Sequence, residues 1–234
     1  MGRELPSGPN ENADEISIPP PQGASTLQSS LSPLEGHWVH PIATLALLSG
    51  ARRGELLALR WCDLDVDKGS IRIERSLEHT RAGGLRFKEP KTPDSVRVIS
   101  LTAGAVEALK AHRVRQLEQR MMLGQGGRPE LVFTTLDGDP ITPDVLSKAW
   151  SRQTAAKGMP QVHFHALRHT HASMLISEGI DIVQISERLR HASPTITLKP
   201  VQEGRRRLSE RTREGARRKD LASVPIRCQF ASCS

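Results

Sequence analysis

Apolar positions along this chain change period several times, and each change predicts an element. Ile42, Leu45, Leu47 and Leu48 recur at helical spacing up to Gly50, and Glu55-Leu56-Leu57-Ala58-Leu59 restarts an apolar helical turn, so two short helices are expected to meet between Gly50 and Gly54. Ser70-Ile71-Arg72-Ile73-Glu74 alternates with period two, as does Ser95-Val96-Arg97-Val98-Ile99-Ser100-Leu101, with Leu85 to Lys88 following a Gly83-Gly84 turn between them. That pattern predicts a small antiparallel sheet. Thr102 stands where it would cap a long helix running to about Leu123, Leu131-Val132-Phe133 is a brief apolar segment, and Thr142-Pro143-Asp144 opens a helix that stops at Gly158. A helix over Phe164 to Glu178 ends at Gly179, and Asp181 caps another through Arg190. Ser193-Pro194 starts one more, which does not visibly continue beyond Leu198. The expected class is α+β, mainly α-helical with a small antiparallel sheet.

The two ends have no such pattern. Residues 1–36 are rich in Pro, Ser, Gly and Asn, include Pro19-Pro20-Pro21, and offer nothing to offset the entropy of ordering, so this acidic segment is expected to be disordered. From Lys199 to Ser234 few apolar residues accompany Arg205-Arg206-Arg207 and Arg217-Arg218-Lys219, and this tail too is expected to be disordered. One domain, 37–198, is left between them.

Charge sharpens that division. The formal net charge of +7 points to an anionic partner, and it is spread unevenly: residues 1–36 hold one basic and five acidic residues, 37–198 hold 22 and 17, and 199–234 hold ten and four. Three scattered cysteines, Cys62, Cys228 and Cys233, form neither a disulfide framework nor a zinc site, which fits a reducing cytoplasm. The longest apolar stretch, Ile42 to Leu48, falls far short of the roughly 20 residues a membrane span needs, so no membrane partner is expected. There is no internal repeat and no glycine-rich phosphate loop of the Walker or dinucleotide type.

Three segments carry cationic or proton-transferring groups. In Gly50-Ala51-Arg52-Arg53-Gly54-Glu55-Leu56 an arginine sits at a helix start; alone, such a pair reads as solvated charge near a helix end. Lys91-Thr92 falls in the turn before the second alternating strand, and alone is an ordinary exposed lysine. The third segment is His163-Phe164-His165-Ala166-Leu167-Arg168-His169, with His191 following a further helix. His165 and Arg168 are three apart, so on a helix they share a face and can address one phosphate together. His165 and His169 also have i, i+4 metal-ligand spacing, but HExxH is absent and no carboxylate or cysteine completes a set, so metal binding ranks below phosphate binding. For His169 and His171 a packing role ranks above both.

In this order G-x-R-x-x-E-L, a β-turn lysine, H-x-x-R and a further histidine resemble the active site of the tyrosine recombinase or phage integrase family, the XerC/XerD-like site-specific recombinases, over residues 37–198. The resemblance implies that family's DNA breaking-rejoining catalytic-domain fold and double-stranded DNA as partner, with other recombinase subunits alongside. It implies no metal, no other cofactor and no small-molecule substrate. It also implies roles: Arg52 and Arg168 as guanidinium forks on the phosphorane, where losing one such donor costs about 3 to 4 kcal/mol; His165 moving the nucleophile's proton; Lys91 protonating the leaving 5′-oxygen; His191 hydrogen-bonded to the phosphate; and Glu55 supporting the site.

The chain departs from that family where the chemistry starts. About nine or ten residues beyond the second histidine, where the family carries its nucleophile, stand Pro200 and Val201, and the 234 residues contain no tyrosine. Arg190 replaces the glycine usual before the second histidine, and no helical core-binding domain is legible in 1–36. The expectation is therefore a DNA-binding member that does not cleave on its own, with the tail a product of a frameshift near codon 199. Two alternatives are a non-catalytic DNA-binding protein using the same basic cleft, and a helix-turn-helix regulator built on Asp181 to Leu198. Convergence of Arg52, Lys91, His165, Arg168 and His191 separates the last of these from the others.

Overall fold

A helix that is apolar on every side must be buried on every side. Helix α1, Val39–Ser49, is such a helix: of its side chains only His40 lies outside the interior. The computed structural model describes residues 28–89 and 96–189, and α1 is its central rod, in contact with the four longer or neighbouring helices named below. Gly50 closes α1 in the left-handed conformation at φ 66°, its N–H donating to Ala46 O. A Cβ there would lie 2.6 Å from both the His171 ring and the Leu189 side chain, so conformation and space both require glycine. Helix α2, Arg53–Leu57, follows at once. It lies so close to the next hairpin that a Cβ on Gly54 would meet the Leu77 carbonyl oxygen at 2.6 Å.

Five short strands come next: β1 Leu64–Asp65, β2 Ser70–Ile73, β3 Ser76–Thr80, β4 Gly84–Lys88 and β5 Arg97–Ser100. They form two antiparallel sheets rather than the one expected, a three-stranded β1-β2-β5 and a separate β3-β4 hairpin. Ile71 stands opposite Ile99 in the first, and Leu77 opposite Phe87 in the second. The break between them falls at Glu74-Arg75. Arg75 is drawn out of strand pairing, its Nε donating to Ala58 O at 2.9 Å and its guanidinium lying 4.5 Å over the Phe87 ring.

The helices keep the starts that their capping residues predict. Thr102 Oγ1 accepts from Ala105 N at 3.1 Å to open α3, Ala103–Met122, and Thr142 Oγ1 accepts from Val145 N at 3.3 Å to open α4, Pro143–Ala156. Helix α5 runs Ala166–Ser177. Helix α6 runs Ile182–Leu189, where Asp181 Oδ1 accepts from Val183 N at 2.8 Å. The apolar segment at Leu131 to Phe133 is buried and bonded to the end of α2, with Val132 N on Leu59 O and Trp61 N on Glu130 O, both at 2.9 Å. Gln116 Nε2 of α3 donates to its Leu131 and Val132 carbonyls, both at 3.3 Å. One large core surrounds α1, and a second cluster, Ala172, Leu175, Ile185 and Leu189, joins α5 to α6.

The expected boundary at residue 37 is too late. Ser32–Leu34 is a 3₁₀ turn, and Leu31 and Leu34, three apart and therefore on one edge of it, are 2% and 1% exposed within the main core. Two leucines among Ser, Pro and Gly are too few to show a period. The rest of the N-terminal segment, the Ser193-Pro194 helix start and the basic tail lie outside the described residues.

Candidate functional site

Arg52, Arg53, Ser76, Ser147, His163 and His165 line one cavity of about 570 Å³. Arg52 is the extended residue before α2, at φ −71° and ψ 149°, a position from which its side chain leaves the helix rather than lying along it. Glu55 holds it there: the Arg52 N–H donates to Glu55 Oε2 at 2.7 Å and Nη1 to Oε1 at 3.0 Å. The Arg52 side chain stays 43% exposed toward the cavity, whereas that of Glu55 is 8% exposed. Arg53 crosses to α4, with Nη1 donating to Ser147 Oγ.

Glu55 has a second cationic partner that the motif reading did not include. Arg97 on β5 donates Nη2 to Oε2 at 2.7 Å and Nη1 to Oε1 at 3.1 Å, a buried bidentate pair. Burial opposes ionisation of Glu55, but the charge and hydrogen bonds of Arg97, joined by those of Arg52, prevail and hold its carboxyl below the ordinary range. The sequence did contain a signal for Arg97. With Ile99 and Leu101 it falls at alternate positions in the period-two run Ser95 to Leu101, and all three are buried.

The opposite wall is set by Phe164. Its buried ring meets Trp150 of α4 edge-on at 5.6 Å, and Trp150 Nε1 donates to Val162 O at 2.7 Å. With Phe164 turned inward, His163 and His165 on either side of it line the cavity. His165 packs edge-on against His169 at 4.9 Å. Desolvation, then the positive fields of His169, Arg168 and Arg52, lower the His165 pKa, so its imidazole is neutral at pH 7 and can accept a proton.

Arg168 is not on that wall. It is 2% exposed, and its fork donates to Gly50 O and Leu189 O, carbonyls at the C-terminal ends of α1 and α6. Such carbonyls lack intrahelical partners and carry negative partial charge, which explains why a buried guanidinium settles on them. The expected shared face of His165 and Arg168 is therefore not formed: His165 lines the cavity, while the Arg168 fork is buried on the Gly50 and Leu189 carbonyls. Burial, then the like charge of Arg52, with Glu55 opposing and Arg97 reinforcing, pushes Arg168 down to about 9, still charged at neutral pH. Arg188 of α6, 4% exposed and donating to Ser100 O at 3.0 Å, is pushed down to about 10 by burial and then by Arg97.

His171 has the packing role expected of it: it is fully buried, with Nδ1 2.9 Å from Leu47 O. Lys91, His191, Pro200 and Val201 lie outside the described residues. Among the described residues no group of three His, Cys, Asp or Glu side chains is placed to hold a metal ion, and no helix is long and apolar enough to cross a membrane.

Comparison with known proteins identifies the family and the fold. The profile of the phage integrase family matches residues 33–200. A XerC-like tyrosine recombinase of Caldanaerobacter subterraneus subsp. tengcongensis is 33% identical over 176 residues, 70% of this chain and 45% of that protein. The ICEBs1 integrase of Bacillus subtilis is 29% identical over 155 residues, 66% of this chain and 42% of that protein. The chain therefore spans less than half the length of these relatives. Among solved structures, the Tn1549 transposon integrase in complex with transposon right end DNA superposes with a TM-score of 0.65 at 23% identity, covering 85% of this chain and 68% of that one. XerA recombinase superposes with a TM-score of 0.59 at 19% identity, covering 88% and 66%. The fold is that of a tyrosine recombinase catalytic domain.

Proposed function

The chain belongs to the phage integrase family, and from that premise we propose that it binds double-stranded DNA at the Arg52–His165 cavity without cutting it by itself. What supports this most directly is that Arg52 and His165, far apart in sequence, line one cavity, and that the charge of buried Arg168 interacts with both. Arg52 offers a fixed fork to a phosphodiester's nonbridging oxygens, and buried Arg168 adds positive potential. Neutral His165 is suited to take a proton from an attacking hydroxyl. The family resemblance assigns the leaving-oxygen proton to Lys91 and a further phosphate hydrogen bond to His191.

These residues supply everything but the nucleophile, since no tyrosine occurs in the 234 residues. With no phenol to attack phosphorus, no 3′-phosphotyrosyl bond forms on this chain, and a second identical copy cannot provide one. In the cytoplasm the protein would occupy recombination sites as a competitor of active recombinases, or as one subunit beside a partner that brings its own tyrosine. Fluorescence anisotropy with a labelled duplex tests the binding: Arg52→Ala is expected to weaken it about tenfold, about 1.4 kcal/mol. Wild-type-like binding by that variant would remove the cavity from the account.

A further inference from the structure

The structure holds a second cationic cavity. Arg75, Phe87, Arg120, Arg128, Glu130 and Pro140 line a space of about 510 Å³ that shares no lining residue with the Arg52 cavity, although Arg75 and Ser76, consecutive in the chain, line one each. Three guanidiniums here face one carboxylate. Arg75 is fixed by Ala58 O, by the Phe87 ring and by Glu130, which it meets at 3.2 Å. Arg120 is held by Gly126 O at 3.0 Å, and its Nε is buried with no hydrogen-bond partner among the described residues. The turn at Gly138, φ 93°, closes against it; a Cβ there would lie 3.1 Å from Arg120 Nη1. Arg128 is exposed, and its side chain makes no hydrogen bond or ion pair among the described residues.

Two anchored guanidiniums and one unengaged one, around walls that include Pro129, Leu131 and Pro140, make a polar floor with apolar sides. Such a site suits a phosphate with a sugar attached better than a bare metal-like charge or an apolar ligand. We propose that this cavity is a second phosphate site, which takes a backbone phosphodiester of the same duplex that reaches the Arg52 cavity. Duplex DNA carries a charge about every 1.7 Å along its axis, counting both strands, so a duplex held at the Arg52 cavity offers phosphates along its length to other cationic sites on the same protein. Arg128 closes on the phosphate from the exposed side, while Arg75 and Arg120 receive it on preset donors. The choice of DNA as the source of the phosphate rests on the DNA-binding reading above; the phosphate chemistry of the site does not.

The test uses the full chain and Arg128→Gln, a substitution at an exposed side chain with no structural bond to lose. Affinity for a labelled duplex of arbitrary sequence is measured across a range of salt concentrations, and in a second arm the melting temperature is followed as inorganic phosphate is added. One lost phosphate contact lowers the slope of log K against log salt by about 1. The expected result is that decrease for R128Q, with Arg128→Lys restoring it, and an additive decrease in the R52A/R128Q double variant. If wild type does not bind duplex at all, the DNA reading fails. The site then stands if phosphate stabilises wild type more than R128Q, which makes a free phosphate its ligand. Identical salt slopes and identical phosphate responses for wild type and R128Q would overturn the proposal.

Discussion

Glu55 accepts hydrogen bonds from two arginines and one backbone N–H, so its loss has two separable consequences. It would leave Arg97 as an unpaired buried charge, which costs about 3–5 kcal/mol, and it would release Arg52 from its extended placement. Glu55→Ala is therefore expected to lose about 3–5 kcal/mol in urea unfolding, whereas Glu55→Gln with Arg97→Met, which removes both charges together, should recover a large part of that stability. A double variant no more stable than the single one would mean that Arg97 is not the partner that makes Glu55 costly to remove. At this scale the motif residues were legible: spacing suggested the His165 segment, and the order of the motifs added Arg52, which alone reads as solvated charge. The alternation around Arg97 turned it inward but did not name its partner, and Arg188 was not legible at all, because burial of an arginine follows from which carboxylates and carbonyls the fold leaves unpaired. Arg168 was identified, but its direction was not, since the carbonyls that hold it come from the ends of two other helices.

Between α1, α5 and α6 the packing depends on one neutral imidazole. His171 presents Nδ1 to Leu47 O, and its Nε2 is buried without a hydrogen-bond partner among the described residues, so protonation would place an unsatisfied N–H in the interior. Burial, followed by the charge of Arg188, pushes its pKa down to about 3 from the ordinary 6.5. Because the folded pKa is depressed, the stabilising contribution is complete above pH 6.5 and is lost progressively as pH falls from 6.5 toward 3. One proton taken up on unfolding corresponds to about 1.4 kcal/mol per pH unit in that window. His171→Asn, which keeps a donor for Leu47 O, is expected to flatten the acid limb of the stability profile by about that slope. An unchanged limb would show that His171 already titrates normally in the folded protein. Helices α1 and α3 to α6 could be read from sequence, by their runs of apolar residues and by the glycine, threonine or aspartate at one end of each. The β3 strand and the Leu31–Leu34 turn could not, since one leucine in Ser76–Thr80 and two beside a proline gain their meaning only from the core they enter.

For the molecule as a whole, the fold gathers Arg52, Arg53 and two histidines around one cavity, with Glu55 and the buried arginines Arg97 and Arg168 behind them, in a sequence without tyrosine. Composition already indicated an anionic partner, while the order of the motifs indicated the fold; neither located the second cationic cavity, which forms where Arg75, Arg120 and Arg128 meet across distant parts of the chain. Affinity for a phosphodiester without the means to break it is the central claim. It is tested most directly by incubating the protein with a nicked suicide duplex, in which a cleaved strand cannot be resealed, and dividing the mixture between native and denaturing gels. The account predicts a retarded complex on the native gel and no protein–DNA band surviving denaturation. A covalent band would mean that some residue other than tyrosine attacks the phosphate, and the absence of any native complex would mean that the cavity does not hold DNA.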